Sequence, residues 1–122
     1  MDEPRIDAPP VTYHLVPREV WQAQATATDY LPEAYEAYEA DGFIHCTDGE
    51  AEVIAVGNRY YRGDARDYVV LAIARDRVTS PVKYEDAARD YPHVYGPLNV
   101  DAVVEVRPVR RDADGTFVAI GE

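Results

Sequence analysis

Apolar and polar positions alternate at the start of the chain. In Val11-Thr12-Tyr13-His14-Leu15-Val16 they predict a strand with Tyr13 and Leu15 on one face and Thr12, His14 and Val16 on the other. Pro17 suits the first position of a helix, where its missing N–H is not needed. The residues after it, to about Ala27, predict a helix burying Val20, Trp21 and Ala25. Glu33-Ala34-Tyr35-Glu36-Ala37-Tyr38-Glu39-Ala40 repeats a short unit and reads as an amphipathic helix packing its tyrosines on a core, or alternatively lining a ligand cleft with them. After Gly42, Phe43-Ile44-His45-Cys46-Thr47 predicts a short strand. Phe43, His45 and Thr47 share one face, and Ile44 and Cys46 the other. Thr47-Asp48-Gly49-Glu50 fits a capping box. The helix it would start carries Ile54, Ala55 and Tyr61 on one stripe, is interrupted by Asn58 and should stop near Gly63.

Tyr68-Val69-Val70-Leu71-Ala72-Ile73-Ala74 is a continuous apolar run, as expected of a strand buried on both faces. Pro81 to Glu85 predicts a short strand. The breakers in Tyr91-Pro92-His93-Val94-Tyr95-Gly96-Pro97-Leu98-Asn99 predict a shaped loop. Asp101 to Val106 reads as a strand, and Asp114-Gly115 as a hairpin turn into a last strand from Thr116 to Ile120. About six strands and two or three helices without regular β-α-β alternation predict an α+β fold with a mostly antiparallel or split sheet. Residues 1–10 are charged and Pro-rich and are expected to form a loose arm, with 11–122 as a single domain.

Composition narrows the function. The chain has 122 residues, 47% of them apolar, which is enough for a globular core. Its 23 acidic and 12 basic residues give a formal charge of −11. Such a surface repels phosphate backbones and argues against general nucleic-acid binding. A single cysteine, Cys46, excludes an intrachain disulfide and permits a reducing compartment. Without a signal peptide, lipidation motif or long apolar run, a cytoplasmic protein with no membrane partner is expected.

The candidate chemistry lies in three histidines: His14 in the first strand, His45 before the capped helix and His93 in the aromatic loop. His14 and His45 each sit in a strand with an apolar opposite face and are expected to share one cleft. A strand running into a helix N-terminus would also set His45 beside free amides and the positive end of a helix dipole, suited to an anionic or polar ligand. A half-buried structural histidine is the alternative. His14, His45, Cys46 and His93 are good zinc ligand types, so a metal-binding protein using the three histidines is one reading. Alternation points Cys46 away from His45, however, and no i, i+4 or C-x-x-C spacing occurs, so no metal is expected. The same alternation disfavours Cys46 as a nucleophile. Glycine-rich phosphate loops are absent.

Several of these segments together carry a family resemblance. They are Tyr13-His14-Leu15-Val16-Pro17, Gly42-Phe43-Ile44-His45-Cys46-Thr47, Asn58-Arg59-Tyr60-Tyr61, Tyr84-Glu85-Asp86 and Pro92-His93-Val94-Tyr95-Gly96-Pro97-Leu98-Asn99. The chain resembles the bacterial family called domain of unknown function 952 over residues 11 to about 110. Through its fold that family resembles the ADP-ribosyltransferases, whose split sheet cradles NAD. More narrowly, Tyr13-His14 followed by Ile44-His45-Cys46-Thr47 and a helix is similar to the two-histidine pattern of the RNA 2′-phosphotransferase branch. The resemblance implies an ADP-ribosyltransferase-like split sheet, a transferase or NAD-cleaving activity, and NAD as substrate. By the resemblance His14 and His45 match the two cleft histidines and Glu85 is the candidate late-strand glutamate, which would make the three catalytic. For the chemistry of such a site, His14, Thr47, Tyr61, His93, Tyr95 and Asn99 are suited to binding NAD. The arginine that the phosphotransferases carry just before the second histidine is missing here, where Asp41-Gly42-Phe43-Ile44 stands. A nucleotide- or small-ligand-binding module that has lost catalysis is the alternative. Packing and turn-capping remain the structural alternatives for Tyr61 and Asn99.

Overall fold

The computed structural model describes residues 10–30, 43–84 and 91–121. All of the expected arm except Pro10, the Glu-Ala-Tyr repeat and Glu85 therefore lie outside the described residues.

Strand β1 (Val11–Pro17) forms as its alternation requires, with Thr12, His14 and Val16 buried and the residues between them partly exposed. It pairs antiparallel with β4 (Tyr68–Ala74), the apolar run, in which Tyr68 to Ile73 are all buried. β4 pairs in turn with β8 (Val103–Arg111), and β8 with β9 (Phe117–Ile120) across the turn at Gly115, whose φ of 92° suits a glycine. A smaller sheet joins β3 (Ile44–His45), β6 (Pro92–Val94) and β5 (Val82–Tyr84), and a two-residue ribbon pairs β2 (Asp29–Tyr30) with β7 (Leu98–Asn99). Every pairing among the described residues is antiparallel.

Two helices are described, α1 (Arg18–Gln22) and α2 (Glu50–Tyr60). This is a mixed α/β molecule made mostly of strands. The larger and smaller sheets meet at Tyr13 and Thr47, which exchange two backbone hydrogen bonds of 2.8 Å. On the other side of the β3 segment, the Cys46 amide donates to the Pro92 carbonyl at 3.0 Å. The segment carrying His45 is thus held between β1 and β6.

Four sequence expectations change. Helix α1 ends at Gln22, not near Ala27, because the Thr28 carbonyl accepts the Val100 amide and draws the chain into the β2–β7 ribbon. The capping box does not form. Gly49, at φ 95°, is the N-cap of α2 and no side chain caps it. The Thr47 backbone is fixed to β1, and the Glu50 carboxylate accepts instead from Arg107 on β8 at 2.9 Å.

The buried stripe of α2 is Val53 and Gly57, whereas Ala55 is exposed. Gly57 packs on the Phe117 ring, and a Cβ there would stand 2.8 Å from Phe117 Cγ. Asn58 does not interrupt this contact but supports it. Its side chain donates to the Phe117 carbonyl at 3.0 Å and accepts the Phe117 amide at 2.7 Å, completing the edge of β9. Finally, residues 91–99 are not wholly irregular. They hold β6 and β7, because Pro92 opens a strand whose carbonyl side faces Cys46.

Candidate functional site

The small sheet builds one wall of a cleft. His45 on β3 stands directly across from His93 on β6, and His93 directly across from Lys83 on β5. Cross-strand partners project from the same face, so the three side chains form a row. The imidazole rings of His45 and His93 lie edge to face, 5.3 Å apart. Phe43 stacks on His93 with centroids 3.8 Å apart and also meets His45 at 4.7 Å, which fixes both rings.

The opposite wall comes from the second half of α2, through Val56, Arg59 and Tyr60, and from Tyr61 at its C-cap. Cys46, Thr47 and Tyr91 complete the lining, and the cavity measures about 440 Å³. That volume falls in the ordinary range of small-molecule sites, roughly 300–1,000 Å³.

His14 does not line this cleft. It is 9% exposed and lies in the core behind the wall. Its Nδ1–H donates to the His45 carbonyl at 2.8 Å, since a carbonyl can only accept. Nε2 therefore accepts, and the Tyr30 hydroxyl donates to it at 2.9 Å. Burial lowers the His14 pKa to about 4, so the ring stays neutral with its proton on Nδ1. The expectation that both side chains face one cleft is corrected. His45 faces it, while His14 holds the His45 backbone from behind. The reason is register: β1 sends its even-numbered side chains into the core, and His14 follows Thr12 and Val16.

Other expected site residues divide similarly. Thr47, Tyr61 and His93 line the cleft. Tyr95 packs against Phe43 at 5.3 Å and beneath the Lys83 ammonium at 5.0 Å, outside the lining. Asn99 is a structural clamp. Its oxygen accepts from the Thr79 amide and hydroxyl, and its nitrogen donates to the Arg77 carbonyl and the Asp101 carboxylate, which occupies the side chain fully. The site expected at the positive end of the helix dipole is also corrected. The first turn of α2 carries Glu50 and Glu52, which meet that end themselves, and the cleft opens at the later half of the helix.

The Cys46 thiol is pushed up to about 12 by burial and by the Asp48 charge, so it is no thiolate nucleophile near neutral pH. Among the described residues no three metal-ligating side chains converge, and the three-histidine metal arrangement is not formed, because the His14 ring is turned into the core.

Sequence reasoning passed over Val56, Arg59, Tyr60 and Tyr91 as cleft residues. One signal was available. Val56 and Tyr60 are four apart, and Arg59 lies three after Val56, so they share a helix face distinct from the Val53–Gly57 stripe.

These features define a small, mostly antiparallel α/β protein with an aromatic, imidazole-bearing cleft. The chain matches the family described as protein of unknown function (DUF952) over residues 15–106 and belongs to that family. It is similar to protein CC0527 of Caulobacter crescentus. The crystal structure of that protein aligns with 28% identity and a TM-score of 0.74, covering 88% of this chain and 93% of the other. The solution NMR structure of CC0527 aligns with a TM-score of 0.68, again at 28% identity, covering 88% and 90%. No curated protein matches the chain.

Proposed function

We propose that this protein is an ADP-ribosyltransferase-like enzyme that binds NAD in the cleft between the small sheet and α2, and cleaves or transfers at the nicotinamide–ribose bond. The observation that carries this reading is the fixed pair His45–His93 facing the tyrosine wall of Tyr60, Tyr61 and Tyr91. Breaking a nicotinamide–ribose bond passes through an oxocarbenium-like cation, so the protein's part is mainly positioning and charge stabilisation. Imidazoles suit hydrogen bonds to ribose hydroxyls, and tyrosine rings suit stacking on nicotinamide. Here His45 and His93 take the positioning role, Thr47 and Tyr61 are wall residues, and His14 acts through the His45 backbone.

A second reading, a nucleotide-binding module without catalysis, is favoured by the burial of His14, one of the two histidines expected to be catalytic. Calorimetric titration with NAD, run beside an assay for nicotinamide release, tests both. Binding with release supports the enzyme. Binding without release selects the module. No heat of binding and no release sinks both.

A further inference from the structure

The chain carries a formal charge of −11, yet the described residues lining the cleft include no Asp or Glu. They include one arginine, Arg59, two histidines and three tyrosines. The row on the small sheet continues this bias outward, from His45 through His93 to Lys83, the only lysine of the chain. Arg59 itself is exposed and lies 6.0 Å from the centroid of the adjacent Tyr60 ring. Among the described residues it makes no ion pair, whereas Arg18, Arg62, Arg66 and Arg107 each meet a carboxylate.

A guanidinium without an acidic partner among the described residues, at the mouth of a cleft lined by hydrogen-bonding side-chain types, is suited to an anion with several oxygens. Its fork of N–H groups fits a phosphate in particular. The cavity of about 440 Å³ lies toward the lower end of the range for small-molecule sites, which suits a mononucleotide-sized group rather than both halves of a dinucleotide.

We propose that the cleft recognises a 5′-phosphomonoester of a nucleoside, or the equivalent half of a larger nucleotide, with Arg59 as the phosphate anchor and the Tyr60–Tyr61–Tyr91 wall receiving the planar base. The proposal rests on the cleft being the ligand site, as above. It adds the class of ligand and a binding residue. Lys83 stands on the approach with its positive charge, and Arg59 makes the direct contact.

The test compares matched probes that differ only in the phosphate, nicotinamide mononucleotide against nicotinamide riboside and AMP against adenosine, by calorimetry. The proteins are wild type, Arg59→Gln and, as a charge control outside the cleft, Arg110→Gln, an exposed residue of β8. Melting curves establish that each variant is folded. The phosphorylated member of at least one pair is expected to bind about tenfold more tightly or better to wild type, as for a charge-assisted hydrogen bond. Arg59→Gln should erase that preference and Arg110→Gln should keep it. If the members of each pair bind wild type alike, or if the preference survives Arg59→Gln, the anchor is overturned while the cleft remains a ligand site. If none of the four probes binds, the anchor and the cleft reading fall together.

Discussion

The larger sheet and the smaller sheet solve opposite problems. In the larger one, β4 buries six consecutive residues between β1 and β8, and α2 packs Gly57 on Phe117 across one face. Asn58 there is bonded through both side-chain amide atoms to Phe117, while the buried Thr12 hydroxyl of β1 has no hydrogen-bond partner among the described residues. In the smaller one the paired segments are two or three residues long, and ring contacts among Phe43, His45 and His93 do the aligning. Stability is concentrated in the first region and presentable chemistry in the second. A stiff half can hold a short, aromatic half in one geometry, which is how binding residues are usually carried by rigid scaffolds.

The sharpest way to break this contrast is to hollow out the first region. Leu71 is 0% exposed at the centre of β4. Leu71→Ala should cost about 2–5 kcal/mol of unfolding free energy, read by denaturant titration. A loss under about 1 kcal/mol would mean that the core has its weight elsewhere.

His14 joins the two regions, and its test is pH. Its ordinary pKa of 6.5 is lowered to about 4 in the folded state by burial. The unfolded chain therefore takes up a proton at a higher pH than the folded protein does. The His14 contribution is fully present above pH 6.5 and is lost as pH falls toward 4. Across that interval it amounts to about 3 kcal/mol at most. His14→Gln should start less stable at neutral pH, and its stability should fall less between pH 6.5 and 4 than that of wild type. Parallel pH slopes in the two proteins would show that His14 is not held neutral.

Smaller than either is the effect at the helix contact. In Gly57→Ala the new methyl meets the Phe117 ring at 2.8 Å. Overpacking of this kind costs about 1–3 kcal/mol, and the better helix propensity of alanine returns roughly 0.5–1. A net loss of about 1–2 kcal/mol is expected in thermal or denaturant melts. A gain in stability would mean that α2 can slide on β9, and the two walls of the cleft would then be less firmly coupled.

Long-range pairing explains which of these features the sequence made legible. β1, β4 and β9 follow alternation or unbroken apolar runs, signals that local chemistry sets. The buried face of α2 was not legible, because its key residue is a glycine whose value lies in what it lets Phe117 do, sixty residues on. β6 was hidden for a related reason: Pro92 and Gly96 read as breakers, and only the neighbouring Cys46 amide turns the Pro92 carbonyl into part of a sheet. At the site, His45, Thr47, Tyr61 and His93 were visible as motif residues. The separation of His14 from the cleft was not, since strand parity gives a face and not what covers that face. Arg59 sat inside a motif segment, but only the packing of α2 tells which of its sides looks at the cleft.

The smallest expected effect on stability is at Tyr60, and it sharpens the contrast most. Tyr60 is 66% exposed and lines the cleft from the last turn of α2. Exposed side chains away from caps and buried networks usually change stability by less than about 0.5 kcal/mol. Tyr60→Ala should therefore melt within that margin of wild type. If the ring stacks on a planar base, the same variant should weaken binding of the nucleotide probes by about 1–3 kcal/mol. Helix truncation effects could imitate part of this, so Tyr60→Phe is the companion. It keeps the ring and loses the hydroxyl, and should retain most of the affinity if stacking dominates. Tyr60→Ala binding as wild type does would remove this residue from the ligand wall. Tyr60→Ala melting as early as Leu71→Ala would erase the division of labour between the two regions.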